Sequence, residues 1–506
     1  MQTKKRELTL RYAVVAAVTL GSAQSALAGQ ITQFTADDLV ISTVSCSVGP
    51  TACSSTSGGL DTASAITLEQ FQLGAGGTTA TADGTLVLPQ TNSGANSAIS
   101  GEYGSASEGI LQRSVNGQYL TIVGYGVNAS TFNSAAGSSY GTTTLGQTTS
   151  LLASDQTGTV YTTVPRVVAL IGANASVDTT TALTGVFNTN NPRSAATVDG
   201  SSIYVSGQGA SKTDPTQGVF YTTRGSTTAT VIDNSTETRV VSIINNGTGN
   251  TLYVSRDQNP PGSGSQNFTN VSTLTASGGG LPTSSAGVID THIIPPASPL
   301  SLGGNNGSIN LTAGLANGVN NSRINSFVYL SPESYFFASP TVLYVTDSGQ
   351  PKNGNANKAA LGEGGLQKWV LTNGVWTLDY DLVAGLNLVN NANANSATPT
   401  APGVTGLFGL TGEDVFVNGV EDVELFATSY GLNELSNSYL YEITDALDYT
   451  TISQAAGENF NKLYSAPAGT SIRGVAFAPV PEPLTLSLFG AGLVGAVAMR
   501  RRKKAP

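Results

Sequence analysis

Short segments in which apolar and polar residues alternate recur along most of the chain, separated by residues that form turns. Examples are YLTIV at 119–123, SIYVS at 202–206, TLYVS at 251–255 and TVLYV at 341–345. A period of two places successive side chains on opposite faces of a β-strand, and Gly, Asn, Ser and Asp mark the turns. No long stretch keeps the spacing of an amphipathic helix, and 59 glycines interrupt the sequence. The pattern therefore predicts an all-β protein.

The strands also recur in one setting. An arginine opens a strand, a polar turn follows, and a second strand ends in a tyrosine paired with an apolar residue. The copies are LQRSVNGQYLTIVGYG from Leu111, PRSAATVDGSSIYVSGQG from Pro192, TRVVSIINNGTGNTLYVSRD from Thr238, the looser SRINSFVYLSPESYFFAS from Ser322 and the truncated SIRGVAFAP from Ser471. Further hairpins are predicted between them, at 218–233, 364–383 and 437–452.

Two hairpins make a four-stranded unit that leaves one apolar face exposed, so several units must pack around an axis. The predicted architecture is a β-propeller of about six or seven blades over residues 29–479, in which the closing segment IRGVAFAP completes the first blade. A right-handed β-helix is the alternative, although its coil repeats of about 20 residues are not visible in the sequence.

Residues 1–28 have the three parts of a secretory signal peptide. Two lysines and two arginines precede an apolar stretch at 12–20, and Ala26 and Ala28 flank Leu27 in a small-residue cleavage site. The apolar stretch is too short to span a membrane permanently. We therefore expect export through the secretory translocon and a mature chain that starts near Gly29.

Residues 480–506 contain three elements in strict order: a stiff polar tetrapeptide, an uncharged segment at 484–499 and a basic cluster. The tetrapeptide is Val480, Pro481, Glu482 and Pro483, and the basic residues are Arg500, Arg501, Arg502, Lys503 and Lys504. As a helix, the uncharged segment reaches about 24 Å, slightly less than a hydrocarbon core of about 30 Å. Local thinning of the bilayer lets such a segment span, and the basic cluster stays on the cytoplasmic side.

This arrangement resembles the PEP-CTERM sorting signal of Gram-negative bacteria. The resemblance implies that an exosortase, a membrane-embedded transpeptidase, recognises Glu482 with its two flanking prolines. It also implies an intermediate held in the inner membrane through residues 484–499, followed by delivery to the cell surface or the extracellular matrix. An ordinary C-terminal anchor is the alternative, and whether the mature protein keeps the tail stays open.

The body between the two ends resembles a group of exported bacterial propellers without an assigned reaction. The resemblance rests on ISGEYGSASEGILQRSVNGQYLTIVGYGVNAS from Ile99, NNPRSAATVDGSSIYVSGQG from Asn190, ETRVVSI from Glu237 and the closing IRGVAFAP. It implies a propeller fold and export, and it carries no activity with it.

Charge limits the partners of this body. Nine of the 22 lysines and arginines, but only two of the 32 acidic residues, lie in the two terminal segments. The remaining 13 basic and 30 acidic residues give the body a net charge of about −17. Nucleic acid and anionic membrane surfaces require basic patches, so the composition argues against both as partners.

Cysteine and histidine are scarce. Cys46 and Cys53 are the only cysteines, and their spacing in an exported chain predicts a small local disulfide. A metal site needs further His or Cys ligands, and the chain has one histidine, His292, so we expect neither a metal nor a cofactor. We interpret His292 as a structural residue.

Two sets of charged residues are candidates for ligand binding or catalysis. The repeated arginines either ring the central channel as anion ligands or, in the interpretation we favour, pair with an acid or cap carbonyl groups within their blades. They are Arg113, Arg193, Arg239, Arg323 and Arg473. The acids of GEDVFVNGVEDVELFATSYGLNE at 412–434 are suited to calcium binding or general acid–base catalysis, although none falls in a calcium-loop pattern. We interpret them as a solvated acidic loop.

These observations predict a non-catalytic surface or matrix protein whose propeller binds a partner, a polysaccharide of the cell's own envelope. The basis is the scarcity of catalytic residue types beside a surface rich in Asn, Ser, Thr and Tyr, which suits hydroxyl recognition. A secreted hydrolase or lyase that uses carboxylates or calcium is the alternative. The sequence does not identify the ligand or the glycosylation state.

Overall fold

The computed structural model describes six sheets arranged around one axis as a β-propeller. The described residues are 6–8, 29–46, 61–105, 107–151, 160–211, 213–245, 247–257, 269–294, 332–349, 364–386, 388, 404–417, 419–431 and 437–481. The predicted all-β class and the predicted propeller of six or seven blades are confirmed, with six blades. The alternative of a right-handed β-helix is wrong.

The strands of the first half are β1 (Arg6–Leu8), β2 (Gly29–Gln30), β3 (Leu39–Ser45), β4 (Ala63–Ala65), β5 (Thr67–Leu73), β6 (Ala80–Val87), β7 (Ser100–Glu102), β8 (Gln112–Arg113), β9 (Tyr119–Tyr125), β10 (Arg166–Gly172), β11 (Val177–Leu183), β12 (Pro192–Thr197), β13 (Ser202–Gly207), β14 (Gly218–Thr223) and β15 (Thr230–Asp233). Those of the second half are β16 (Val241–Asn245), β17 (Asn250–Asp257), β18 (Thr269–Ala276), β19 (Val288–Ile294), β20 (Pro332–Ser339), β21 (Val342–Asp347), β22 (Gly365–Thr372), β23 (Val375–Leu382), β24 (Val404–Val417), β25 (Val420–Gly431), β26 (Tyr439–Ala446), β27 (Asn461–Ser465) and β28 (Thr470–Phe477).

Helical structure in the described ranges is short. It consists of α1 (Ala129–Ala135), a π-helical turn at Ala136–Tyr140, and 3-10 turns at Leu145–Gln147 and Ala455–Gly457.

Each blade is a largely antiparallel sheet whose first strand lies nearest the axis. From the axis outward the blades are β28-β3-β5-β6-β2 (blade 1), β8 and β7 beside β9-β10-β11 (blade 2), β12-β13-β14-β15 (blade 3), β16-β17-β18-β19 (blade 4), β20-β21-β22-β23 (blade 5) and β24-β25-β26-β27 (blade 6). Strand β4 pairs with β7, and β1, from the predicted signal peptide, pairs in parallel with residues 415–417 of β24.

The last strand closes the ring. β28 runs antiparallel to β3, with Ile472 opposite Thr43 and Phe477 opposite Leu39. It also contacts β24 and β25 of blade 6 and β8 of blade 2. The prediction that IRGVAFAP completes the first blade is therefore confirmed.

The hydrophobic core is divided among the blade interfaces. Leu39 and Ile41 of blade 1 pack with Phe426 of blade 6, for example, and Val123 of blade 2 packs with Ile203 of blade 3. All five side chains are at most 1% exposed. Since each buried apolar Å² contributes about 25 cal/mol, most of the stabilisation lies between blades and a blade depends on both neighbours.

A serine or threonine hydroxyl also joins each blade to the next. In every blade the second strand carries a fully buried hydroxyl that donates to a carbonyl oxygen of the following blade's inner segment. The pairs are Ser42 with Gly109, Thr121 with Ala195, Ser206 with Arg239, Ser255 with Glu333, Thr346 with Phe408 and Thr428 with Arg473. These six bonds, which we call the hydroxyl ring, form a complete circuit of the propeller.

The two ends of the propeller are distinguished by the connections that follow the inner and the second strand of each blade. At one end, which we call the turn face, inner and second strands are joined by short turns at 114–118, 198–201, 246–249, 340–341 and 418–419. At the other end, the loop face, second and third strands are joined by longer connections at 126–165, 208–217, 258–268, 348–364 and 432–438. The longest of these, at 126–165, belongs to blade 2.

Two of the predicted hairpins need correction. In the segment 437–452 only β26 forms a strand, and its partner β27 lies later in the chain because a turn of residues 447–460 separates them. In the copy from Ser322, the segment expected to be the second strand is the inner strand β20, which pairs with β21. Residues 322–331 lie outside the described residues.

Candidate functional site

A surface pocket of about 510 Å³ opens at the loop face of blade 2. It lies between the segment 90–98 and the connection 126–165. The residues that line it are Gln90, Thr91, Asn92, Ser97, Ala98, Gly126, Val127, Asn128, Thr131, Tyr140, Thr162, Thr163, Val164 and Pro165. Pockets that bind small ligands have volumes of about 300–1,000 Å³, so this blade-2 pocket has the size of a ligand site.

Two amide side chains hold its walls together. Asn128 donates Nδ2 to the carbonyl of Gln90 at 2.6 Å, and its Oδ1 accepts the N–H of Thr131 at 2.8 Å at the start of α1. Gln90 accepts the N–H of Ala129 at 3.1 Å and donates Nε2 to the carbonyl of Ile99 at 2.7 Å. The helix start and the opposite wall are therefore fixed to each other.

A tight turn shapes the opposite wall. Asn92 accepts the N–H of Ala98 at 2.7 Å, and Ser93 and Asn96 exchange two backbone hydrogen bonds. Asn96 in turn accepts the N–H of Thr179 on β11 at 2.8 Å. Because side-chain amides satisfy the turn's backbone donors, its shape is held without apolar packing.

The floor of the pocket is a small hydrophobic cluster under α1. Phe132 and Tyr140 lie with ring centroids 5.1 Å apart, and both pack with Leu145 and Val164. Gly141 follows Tyr140 with a φ of 73°, and a Cβ there would lie 2.6 Å from the ring of Tyr161. A larger residue at 141 would therefore have to displace the ring of Tyr161, next to Tyr140 of the floor.

One buried arginine fixes the connection to the propeller. Arg166 donates to the carbonyl oxygens of Val164 and Thr148 at 2.9 Å and of Phe187 at 2.8 Å. Its guanidinium also lies 4.7 Å from the ring centre of Tyr125. Burial lowers the pKa of Arg166 to about 10, so it stays charged and holds the base of the pocket in place.

The chemistry of the pocket is polar and uncharged. Its lining supplies three amide side chains and six hydroxyl groups, and none of its residues is Asp, Glu, Lys, Arg or His. Thr91, Asn92, Thr131 and Thr162 are exposed to solvent. Such a lining can exchange hydrogen bonds with a neutral ligand that carries many hydroxyl groups.

The repeated arginines contact acids and carbonyl groups. Buried Arg193 donates to Gln208 at 2.5 Å and lies 3.5 Å from a carboxylate oxygen of Glu237. Arg239 lies 3.8 Å from Glu237 and 3.9 Å from Glu333. Burial and the nearby Arg239 lower the pKa of Arg193 to about 10.

The remaining arginines follow the same rule. Arg473 donates to the carbonyl of Tyr103 at 2.5 Å, and Arg113 contacts the carbonyl of Gly117 at 3.4 Å. Arg323 lies outside the described residues. The four described arginines thus contact acids or carbonyl groups, as the pairing interpretation predicts, but Arg239 and Arg473 reach groups of the neighbouring blade and not only of their own.

Two neighbouring carboxyl groups beside Arg473 were not predicted. Glu108 accepts the Tyr125 hydroxyl at 2.6 Å and the N–H of Glu102 at 3.2 Å, and Glu102 accepts the N–H of Gly146. Burial raises the pKa of both carboxyl groups. The adjoining cavity measures about 10 Å³, room for about one water molecule.

The interpretation of residues 412–434 as a solvated acidic loop is wrong. Residues 412–417 and 419–431 belong to the β24–β25 hairpin, in which Glu413 lies opposite Glu424 and Asp422 is buried, whereas Glu434 lies outside the described residues. The apolar residues between the acids, such as Val423 and Leu425, belong to the core between blades 5 and 6 and hold the segment as a strand. Burial raises the pKa of Asp422 to about 6.

A buried ion pair joins blades 5 and 6. Lys368 Nζ lies 2.8 Å from Asp445 Oδ2, and both side chains are fully buried. The hydroxyls of Tyr344 and Tyr380 also donate to Asp445. Lys368 also donates to the carbonyl oxygens of Ala446 at 2.8 Å and Tyr449 at 2.9 Å, so its buried charge has several partners, which indicates a structural role.

Other predicted site residues lie apart from the pocket. His292 lies on β19, with Nε2 3.5 Å from Asp290. Within the described ranges, no group of three or more His, Cys, Asp and Glu could hold a metal ion. Cys46 is disulfide-bonded. Cys53 lies outside the described residues, so its pairing with Cys46 stays a prediction.

Most of the predicted targeting residues lie outside the residues that the structure describes. Val480 and Pro481 are described, whereas Glu482, Pro483, the basic residues 500–504, and Ala26 and Ala28 are not. Among described residues no helix is long and apolar enough to cross a membrane, and the predicted segment 484–499 is not among them. The domain boundaries at 28 and 479 also stay predictions.

Sequence comparison identifies the C-terminal end of the chain. A family model described as the PEP-CTERM protein-sorting motif matches residues 479–503. No curated protein matches the chain. The chain thus carries a PEP-CTERM sorting motif behind a six-bladed propeller, which implies an exported protein that an exosortase processes and that reaches the cell surface or the extracellular space.

Proposed function

We propose that the propeller is a non-catalytic binding module, and that its blade-2 pocket holds a neutral segment of an envelope polysaccharide. The observation that carries this proposal is the pocket's lining: amide and hydroxyl groups on a rigid frame, with no ionised side chain. A sugar presents hydroxyl groups that both donate and accept, so such groups match it without the desolvation of a charge.

The rigidity of the frame supports binding. The contacts of Asn128, Gln90 and Arg166 hold both walls before any ligand arrives. A preformed site loses little conformational entropy when it binds, which favours affinity for a weakly interacting ligand such as a sugar.

The location of the acids supports a non-catalytic role over the alternative of a carboxylate- or calcium-dependent hydrolase or lyase. Glu102 and Glu108 are 7% and 3% exposed. A second pair of neighbouring acids, Asp347 on β21 and Asp381 on β23 of blade 5, is at most 3% exposed. A glycosidase needs two carboxyl groups that flank a bond of the substrate, with water access to one of them. These pairs lie inside the fold and away from the pocket.

The test is a glycan array probed with the purified, detergent-solubilised full chain, followed by titration of the strongest neutral oligosaccharide. The array includes neutral oligosaccharides and uronic acid oligomers, and released reducing ends are measured in parallel. We expect binding to neutral oligosaccharides, weak binding to acidic ones and no release of reducing ends.

Two variants locate the site. Thr131→Trp fills the pocket from an exposed position on α1 and is expected to weaken binding at least tenfold. Thr223→Trp places the same side chain at an exposed position of β14 on the turn face and is expected to bind like the natural protein. Equal binding by both variants, or turnover of an oligosaccharide, would overturn the proposal.

A further inference from the structure

We propose that the C-terminal sorting segment holds the propeller by its turn face, so that the loop face and its pocket point away from whatever holds the C-terminus. The argument concerns the orientation of the exported body, and it starts from the last hydrogen bonds that the structure describes before residue 482.

The chain leaves the fold while attached to the turn face. After β28, the N–H of Ala478 donates to the carbonyl of Asp38 at 2.8 Å, and the N–H of Val480 donates to the carbonyl of Gly117 at 2.8 Å. Gly117 lies in the turn between β8 and β9. A Cβ at Gly117 would lie 3.3 Å from the side chain of Val480, so the two backbones lie close together.

This turn is itself fixed to its neighbour. The N–H groups of Val115 and Asn116 donate to the carbonyls of Thr197, at the end of β12, and Val198, in the turn that follows, at 3.2 and 3.0 Å. The point at which the chain leaves the fold is therefore fixed to the propeller. Any constraint on the direction of the chain at Val480 also constrains the orientation of the whole body.

The spacer that follows is short and stiff. Only Pro481, Glu482 and Pro483 separate Val480 from the uncharged segment that starts at Leu484. Three residues of any conformation span at most about 10 Å, and two of these three are prolines, whose ring restricts φ. If residues 484–499 enter a bilayer as predicted, the turn face lies within about 10 Å of its surface and the body cannot turn over.

The pocket lies at the opposite end of β9. This strand leads from the turn at Gly117 to Gly126, which lines the pocket. From the first to the last of its seven residues the strand takes six steps of about 3.4 Å, so the pocket lies about 20 Å farther from the exit point. The orientation itself does not depend on any ligand. Only its consequence, that the pocket is accessible to a polysaccharide, rests on the proposed function.

The test measures distance from the bilayer at two exposed positions of the full chain. Val420→Cys labels the turn face, at the β24–β25 turn, and Thr91→Cys labels the loop face at the rim of the pocket. Each variant is labelled with a fluorophore and reconstituted into vesicles of phosphatidylethanolamine and phosphatidylglycerol that contain lipids spin-labelled at the headgroup. Vesicles without the spin label serve as the control.

We expect at least threefold stronger quenching at position 420 than at position 91. A further variant with a 12-residue Gly/Ser insertion between Val480 and Pro481 has a spacer of about 20 Å, and we expect the difference to shrink by at least half. Equal quenching at both positions, stronger quenching at 91, or no effect of the insertion would overturn the inference. None of these outcomes depends on polysaccharide binding, so the proposed function is tested separately.

Discussion

The hydroxyl of Thr428 donates to the carbonyl oxygen of Arg473 at 2.6 Å and so joins blade 6 to the strand that completes blade 1. The same hydroxyl accepts the N–H of Gly409 at 2.8 Å. Thr428 is fully buried, and water cannot replace it as a partner of these two backbone groups. This member of the hydroxyl ring therefore lies at the closure of the propeller.

Replacing Thr428 with valine removes that hydroxyl at nearly constant volume. Two buried backbone groups then lack a partner, which costs about 1–3 kcal/mol per group. We expect a lower free energy of unfolding, measured by urea denaturation of the full chain in detergent. Thr223→Val, at an exposed position, is the matched control. Equal stability of the two variants would show that the closure does not depend on this bond.

Deletion of residues 472–479 removes most of β28. The facing apolar residues of blades 1 and 6, among them Leu39, Ile41 and Phe426, then lose their cover, and we expect aggregation or protease sensitivity along the whole body. Limited proteolysis with mass spectrometry measures this. Deletion of Gly29 and Gln30 removes the outermost strand of the same blade and is expected to leave the body resistant. An unshifted melting temperature after the first deletion would contradict the closed propeller.

We expect Glu458, near the buried ion pair, to make the stability of the protein depend on pH. Burial and the neighbouring Asp445 raise the pKa of Glu458 from its ordinary value of 4.5 to about 9. The folded protein thus holds this proton more tightly than the unfolded chain, and stability is lost as pH rises from about 4.5 to about 9. In the natural protein the N–H of Ala446 donates to Glu458 Oε1 at 3.2 Å. The amide oxygen of a glutamine at position 458 can still accept this hydrogen bond.

We therefore expect the melting temperature of Glu458→Gln to fall less than that of the natural protein between pH 5 and pH 9. Differential scanning fluorimetry across this range measures the difference. Parallel curves for the two proteins would mean that Glu458 does not titrate in this window.

Processing depends on Glu482 if the sorting motif is read as the family match implies. Glu482→Ala keeps the uncharged segment and the basic cluster, so we expect the full-length protein to accumulate in the membrane fraction while surface delivery falls. Cell fractionation and immunoblotting measure location and size. Pro506→Ala, a change at the last residue, is the control. Unchanged delivery and size of Glu482→Ala would remove this residue from the recognition element.

Much of the fold could be predicted because the blades repeat a local pattern. The segments of β12–β13 and β16–β17 combine alternating residues with a turn rich in Asn, Asp and Gly, and such hairpins form between neighbours in sequence. The first hairpin of blade 6 was missed because six acids within residues 412–434 resemble a solvated loop. Its strands form because the apolar residues between those acids belong to the core between blades.

The contacts between blades could not be predicted, because their partners are distant in sequence. Ser42 and Gly109 are separated by 67 residues, and Thr121 and Ala195 by 74. The recurring serine or threonine after an apolar residue was visible in YVS, YVT and FAT, but nothing in the sequence identifies its acceptor. The pocket depends on Gln90 and Asn128, which belong to no repeat, and only the unusual length of the 126–165 connection distinguishes this part of the sequence.

Because β28 is the last strand that the structure describes, the first blade must be the last to be completed when the protein folds. The partner strand β3 lies more than 400 residues earlier, so the first blade stays incomplete until nearly the whole chain has crossed the membrane. The sorting motif follows β28 directly. Every prematurely ended chain thus lacks both the strand that completes the body and the address that would deliver it, and an unfinished propeller cannot be displayed as a finished one.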